Sequence, residues 1–322
     1  MTLAPYVKTL GRGPGRSRSL DQAEALDAMS IILSGKAEPE AIGALLMLLR
    51  MKGETAAELA GFVQAARDHI TFAPLAPALD WPSYAAGRTR GLPWFLLSAK
   101  LVAQAGYPVV LHGWNSHQSS GANVRMGCES LGIAISTGGV AAQVALGTDN
   151  ITYLPLEALC PSLFALLQLR NTFGLRSCIN TVVRLLNPFG APCCVQGVFH
   201  PVYREIQSDA CALMGQDNLS VIKGGGGEFE RHPSKDIAAF GLRSGFPWQD
   251  TFGATFDETR RLATRDTDLT DLQQMWAGTK DDSFAHAVVL GTAALALDTL
   301  GVPNPDAVAA TLWQNRHRAI AA

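Results

Sequence analysis

The chain has 322 residues, 48% apolar and 17% charged, with a formal net charge of −2 and a pI of about 6.4. That composition excludes a disordered chain, which lacks apolar surface to bury, and a uniformly basic one that would draw nucleic acid to every face. No apolar run approaches the roughly 18 residues of a membrane span and no apolar signal core opens the chain, so a cytoplasmic protein with no membrane partner is expected. The six cysteines form no C-x-x-C pair and sit mostly among apolar neighbours, the pattern of buried reduced thiols.

Residues 1–20 carry Lys8, Arg12, Arg16 and Arg18 with no acidic residue. The stretch Gly11-Arg12-Gly13-Pro14-Gly15 cannot sustain a helix, so this segment reads as a basic arm. Helices are predicted at about 20–34, 39–51 and 55–69, which makes residues 1–74 a small all-helical domain. Ser19 with Gln22 reads as the cap of the first helix, and Thr55 with Glu58 as a capping box for the third. Pro39 suits the first turn of the middle helix because its missing N–H has no partner there, and Gly53 suits the left-handed position past its end. Between them Leu45, Leu46, Met47, Leu48 and Leu49 point all round the helix, where one amphipathic face would use about half of them. Such a helix needs cover on several sides, from its own chain or from a second copy. The domain is read as dimerising.

A Pro-rich link through Pro74, Pro77 and Pro82 leads to a second domain, 75–322. Short apolar runs at 109–111, 133–135, 151–154, 194–199 and 219–222 read as strands, between helical patterns at about 94–105, 122–131, 162–173, 177–186 and 201–214. This alternation predicts an α/β domain with a mainly parallel central sheet covered on both faces. The stretch 230–282 is polar and shows no clear period, and two apolar helices near 284–300 and 304–319 close the chain.

The run from Ser34 to Thr55 resembles the N-terminal helical domain of anthranilate phosphoribosyltransferase and its relatives, the glycosyltransferase family 3 and nucleoside phosphorylase type III proteins, and the likeness extends over roughly residues 19–230. The resemblance implies that helices at about 160–190 pack back on the helical domain. In the enzymes a GTGGD loop and an N-x-S-T segment hold phosphoribosyl pyrophosphate. The matching stretch, Ser83 to Leu96, has lost that glycine spacing, has Pro93 for the asparagine, and has gained Arg88 and Arg90, which can meet phosphate without a metal. The K-H-G-N-R signature becomes Leu111-His112-Gly113-Trp114-Asn115, without its lysine, and Ser119 stands in the hydroxyl-rich turn that follows. Cys160-Pro161-Ser162, Gly174-Leu175-Arg176-Ser177, Asn180 and Leu186-Asn187-Pro188 follow further family signatures. Arg170 falls where the family's arginine meets the aromatic acid, with Cys160 replacing its histidine partner. The adjacent Asp and Glu that hold Mg²⁺ become Phe229 and Glu230, and a phenyl ring cannot ligate a hard cation. Lys223 before four glycines reads either as a backbone anion nest or as a mobile hairpin.

The coherent losses look like those of the YbiB-like DNA-binding, non-enzymatic paralogues, with shared details at Gly11-Arg12-Gly13, Pro82-Ser83-Tyr84 and His200-Pro201. That resemblance implies a homodimer binding nucleic acid without sequence preference, through Lys8, Arg12, Arg16, Arg18, Arg88, Arg90 and Lys223. His112, Gly113, Asn115, Ser119, Arg170 and Glu230 are the candidates for a pocket taking a small phosphorylated or aromatic ligand, and no metal site or cofactor is expected. The alternative is a phosphoribosyltransferase or other glycosyltransferase acting on an aromatic or base acceptor. It would use His112, Asn115, Arg170 and Glu230 and would require Mg²⁺.

Overall fold

The structure, a computed structural model, describes residues 2–13, 15–84, 91–114, 123–258, 260–262 and 268–317. Four helices open the chain, α1 (Ala4–Gly11), α2 (Gln22–Leu33), α3 (Pro39–Lys52) and α4 (Ala56–Asp68). The basic arm holds a helix that the sequence reading did not place: α1 has Pro5 in its first turn and stops at Gly11, where the glycine-rich stretch begins, and Leu3 and Leu10 are buried where α1 packs on α3. The cap of α2 is corrected. It is Asp21, not Ser19, because Asp21 Oδ1 accepts from Glu24 N at 2.8 Å while Glu24 Oε2 accepts from Asp21 N at 3.0 Å. Thr55 and Glu58 form the predicted box on α4, and the buried Glu58 also accepts from Leu20 N at 2.8 Å, tying α4 to the start of α2.

Leu45, Leu46 and Leu49 of α3 are fully buried within one chain, Met47 and Leu48 are partly covered, and Ala44, Arg50 and Met51 are exposed. The helix thus has a wet side. Much of its cover comes from α1, whose Gly11 leaves only 3.2 Å between a notional Cβ and a Leu48 methyl, and from Phe173 near Gly43.

The sheet has eight strands: β1 (Leu79–Ser83), β2 (Val109–Gly113), β3 (Ala134–Ile135), β4 (Ile151–Pro155), β5 (Cys193–Val198), β6 (Asn218–Lys223), β7 (Ile237–Arg243) and β8 (Phe246–Phe252). Their order is β3-β4-β2-β1-β5-β6-β7-β8. The pairings through β6 are parallel, and β7 and β8 add an antiparallel edge inside the stretch whose sequence showed no period. Pro82 belongs to β1 rather than to a linker. It is tolerated because β1 pairs with β5 only at Leu79 and Asp80, so beyond them one side of the strand needs no donor.

The remaining helices are α5 (Phe95–Gln104), α6 (Val124–Ser130), α7 (Gly139–Asp149), α8 (Leu156–Leu159), α9 (Pro161–Gln168), α10 (Arg170–Phe173), α11 (Ile179–Val182), α12 (Tyr203–Leu213), α13 (Thr270–Ala277), α14 (Ser283–Thr299) and α15 (Pro305–Asn315). One sheet face, with Val110, Leu154, Cys194 and Val221, shares a continuous core with α2, α3, α4, α9 and α11. The opposite face, with Trp81, Leu111, Val195 and Ile222, packs against α5 and α14. Arg67 Nε of α4 donates to the Leu186 carbonyl at 2.6 Å, and Thr181 Oγ1 donates to Glu54 at 3.2 Å, so polar bonds bridge the same seam. All six cysteines are free and buried, and burial pushes the thiols of Cys128, Cys178, Cys194 and Cys211 up. No helix of the described residues is long and apolar enough to cross a membrane.

The four glycines after Lys223 do not form a projecting hairpin. Gly225–Gly227 is a single 3-10 turn, with Gly226 at φ 65° and Gly227 at φ 100°, folded down on the end of β5. A Cβ on Gly197 would stand 2.0 Å from the Glu228 carbonyl carbon, and one on Gly224 only 1.7 Å from the Glu228 oxygen. Both neighbours are backbone and cannot step aside cheaply. Gly197→Ala is expected to cost about 2–3 kcal/mol and lower Tm by roughly 5–10 °C in a thermal melt. An unchanged Tm would show that the turn is not seated there.

Candidate anion-binding cleft

The chain winds from β1 toward β2 on one side of the sheet, while β5 leads to β6 on the other. The winding direction thus switches between β1 and β5. A cleft of about 320 Å³ lies at the carboxyl end of β5. Val198, Phe199 and His200 at the end of β5 and Tyr203 at the start of α12 form one wall. Arg170 and the turn through Gly174, Leu175, Arg176 and Ser177 form another, with Asn180, Thr181 and Arg184 beneath and Arg50 reaching in from the last turn of α3.

Local structure explains why the arginines converge. α10 is a single turn, opened by Arg170 and stopped by Gly174 at φ 65°, so the chain reverses and brings Arg176 to the same cleft. Arg50 sits at the C-terminal end of α3, where the unpaired carbonyls favour a cation. Arg184 lies deepest: Nη2 donates to the Tyr84 carbonyl at 2.8 Å and Nη1 to the Asn180 carbonyl at 3.3 Å, while Nε has no hydrogen-bond partner among the described residues.

None of the described lining residues is acidic. Burial, then the neighbouring Arg170 and Arg50, push the Arg176 guanidinium below its usual range; burial does the same to Arg184, offset in part by Glu228. Guanidinium groups stay protonated through such shifts. The cleft therefore concentrates positive charge on a chain whose formal net charge is −2.

Of the pocket candidates from sequence that lie among the described residues, only Arg170 lines the cleft. His112 is fully buried: Tyr84 Oη lies 2.8 Å from its Nδ1, and Asp80 Oδ1 lies 3.2 Å from its Nε2. The motif does end a strand as its spacing implies, but the parallel ladder places His112 beside Pro82 and encloses it. Gly113 is pressed against Ser83, whose carbonyl oxygen would lie 2.2 Å from a Cβ there. Glu230 is also fully buried and accepts from Phe95 N at 3.1 Å at the start of α5. Asn115 and Ser119 lie outside the described residues, as do Arg88 and Arg90. Arg50, Arg184 and His200, which stand in three separate segments, are not among the candidate site residues, although His200-Pro201 is one of the shared family details.

The residues at the family's metal position do not fit Mg²⁺. Phe229 is fully buried with its ring edge-on to Trp81, centroids 5.4 Å apart, and Trp81 stacks with Phe95 at 6.1 Å. Glu228 takes a hydrogen bond from Ser83 Oγ at 2.9 Å. Among the described residues no group of three or more His, Cys, Asp or Glu side chains is placed to hold a metal ion.

Lys8, Arg12, Arg16 and Lys223 are exposed. Arg18 is not available as expected, because it forms a two-pronged pair with Glu24 at 2.6 and 2.7 Å and holds that carboxyl down at about 2.

Comparison with known proteins places these observations. Residues 4–70 match the family model of the glycosyl transferase family, helical bundle domain. Anthranilate phosphoribosyltransferase of Halobacterium salinarum is 34% identical over 227 residues, covering 70% of this chain and 66% of that enzyme, just under two thirds of its length. The uncharacterized protein YbiB of Escherichia coli is 30% identical over 265 residues, covering 79% of this chain and 82% of that protein. The fold matches anthranilate phosphoribosyltransferase from Thermus thermophilus with a TM-score of 0.77 at 21% identity, over 96% of this chain and 93% of that one. It matches the Saccharomyces cerevisiae enzyme in complex with PRPP and Mg at a TM-score of 0.77 and 18% identity, over 98% and 93%.

Proposed function

We propose, from the premise that this chain belongs to the glycosyltransferase family 3 proteins related to anthranilate phosphoribosyltransferase, that it is a cytoplasmic nucleic-acid-binding homodimer without phosphoribosyl transfer activity. The observation that carries this reading is the cleft edged by Arg50, Arg170, Arg176 and Arg184 with no acidic residue among its described lining. Such a cleft recognises phosphate without a metal, and Arg is suited to it by its fixed fork of donors. Phe229 in the core removes the carboxylate that a metal-dependent transfer needs. Exposed Lys8, Arg12 and Arg16 extend the positive surface. The test is a salt titration of single- and double-stranded DNA binding: affinity should fall steeply and linearly on a log–log plot, with no requirement for divalent metal. Absence of binding at low salt would remove this reading.

The second reading, a transferase, is favoured by Arg170, which lies in the cleft as it would if it met an aromatic acid. Its test is product formation from anthranilate and phosphoribosyl pyrophosphate with Mg²⁺, at about 1 per second or faster.

The dimer is tested at α3. Met51 is 83% exposed, and Met47 is partly covered. Met47→Glu with Met51→Glu is expected to shift the mass measured by light scattering from dimer to monomer with little change in Tm. Leu46→Glu should instead unfold the chain, because Leu46 is buried within its own protomer. A monomeric wild-type protein would refute the dimer.

A further inference from the structure

We infer that the arginine cleft takes a nucleoside phosphate monoester, its phosphate among the guanidinium groups and its base against the lip formed by Phe199 and His200. The inference rests on the nucleic-acid reading above and narrows it to one chemical group. A monoester is favoured over a backbone diester by charge. An internal phosphodiester carries one negative charge, whereas a phosphate monoester carries about −1.5 to −2 at neutral pH and offers three acceptor oxygens. Arg50, Arg170, Arg176 and Arg184 all line one cleft of about 320 Å³, with no acidic group in its described lining. Glu228 beside Arg184 and Glu54 behind Thr181 and Tyr203 offset part of this charge, and what is left still exceeds what one diester neutralises. The mutual repulsion of Arg50, Arg170 and Arg176 is relieved when a dianion sits among them.

The lip supplies the second half of the ligand. Phe199 is 45% exposed, an uncommon placement for a phenyl ring, and its ring meets that of His200 edge-on with centroids 4.9 Å apart. Leu175, 49% exposed, faces the same cleft from the opposite wall. An exposed aromatic beside arginines is a stacking platform for a base, and it tolerates any base because each has a π face. The volume stands at the small end of ligand clefts and suits a single nucleotide. The floor holds the cleft in shape: Arg184 is fixed through the Tyr84 and Asn180 carbonyls, and Gly227 of the 3-10 turn lies behind it, a notional Cβ there standing 3.7 Å from Arg184 Nη2.

Two sources present this chemistry, the phosphorylated end of a single strand and a free nucleoside monophosphate. The experiment measures binding of oligothymidylate of one length carrying a 5′-phosphate, a 3′-phosphate or only hydroxyl ends, and of thymidine monophosphate and inorganic phosphate. Wild type, Arg176→Gln, Phe199→Ala and the control Arg18→Gln, whose guanidinium is held by Glu24, are compared. A strand bearing a terminal phosphate should bind about tenfold tighter than the hydroxyl strand. Arg176→Gln should abolish that ratio, Phe199→Ala should weaken binding about tenfold, on the scale of one stacked base, and Arg18→Gln should leave the ratio intact. Binding of thymidine monophosphate but no oligonucleotide, sensitive to Arg176→Gln, would support the cleft assignment and remove the nucleic-acid reading. Equal affinity for phosphorylated and hydroxyl strands, with no binding of the monophosphate, would overturn the assignment and leave the nucleic-acid reading standing. No binding of any probe would overturn both.

Discussion

Phe229→Asp, which restores a carboxylate at the family's metal position, is expected to destabilise the protein by about 4–6 kcal/mol and to confer no Mg²⁺-dependent binding of phosphoribosyl pyrophosphate. The position is buried against Trp81, on which Phe95 also stacks, so the new side chain forfeits the aromatic packing and gains no water. A carboxylate so placed must either stay charged without solvent or take up a proton, and both states cost stability. Tm should drop by roughly 10 °C or more, or the variant should fail to accumulate in folded form. Phe229→Leu keeps the site dry and is the companion that separates folding from function: it should lose only about 1–2 kcal/mol and retain nucleic-acid binding. A stable Phe229→Asp protein that binds phosphoribosyl pyrophosphate with Mg²⁺ would show that the aromatic cluster is incidental and that one substitution separates the chain from metal-dependent chemistry.

The second large effect is expected from charge. Replacing Arg50, Arg170 and Arg176 together by Gln should weaken nucleic-acid binding about 100-fold or more at low salt, and every phosphate no longer neutralised should reduce the log–log salt slope by roughly 0.7 to 0.9. The weakening should be nearly the same for every sequence, because phosphate recognition carries no base information. Arg18→Gln is the internal control. Its guanidinium is already held by Glu24, so its removal should change binding little although the sequence placed it in the same basic arm. Unchanged affinity in the arginine triple variant would move the nucleic-acid surface away from the cleft.

The parts of the fold legible in the sequence are those set by local chemistry or continuous burial. Thr55 and Glu58 cap α4 because the bonds span three residues, and β2, β4, β5 and β6 announce themselves as apolar runs. β1 is hidden by Asp80 and Pro82, polar or breaking residues whose cost is met by tertiary neighbours. β8 is hidden for the opposite reason: as an edge strand it is largely exposed, and Gln249 and Asp250 blur its period. α1 is hidden because the glycines of the basic arm end the helix without preventing it. The cleft is legible in part, at Arg170 as a ligand contact and at Gly174–Ser177 and Asn180 as family signatures. Arg50, Arg176 and Arg184 come from α3, from the turn after α10 and from the segment after α11, and nothing in their spacing says that they meet. His112 shows the converse error, a motif residue whose spacing is right and whose surroundings, Tyr84 and Asp80, close it off.

The core that joins the N-terminal helices to one face of the sheet has a kinetic consequence. Arg50 stands on a helix whose Leu45, Leu46 and Leu49 belong to the same apolar body as Leu163 and Ile179, which underlie the opposite wall. The two walls therefore do not swing as hinged units, since parting them would expose that body to water. A ligand is expected to meet a receptor already in its final shape, so the observed association rate should rise linearly with ligand concentration; a plateau would show a closing motion.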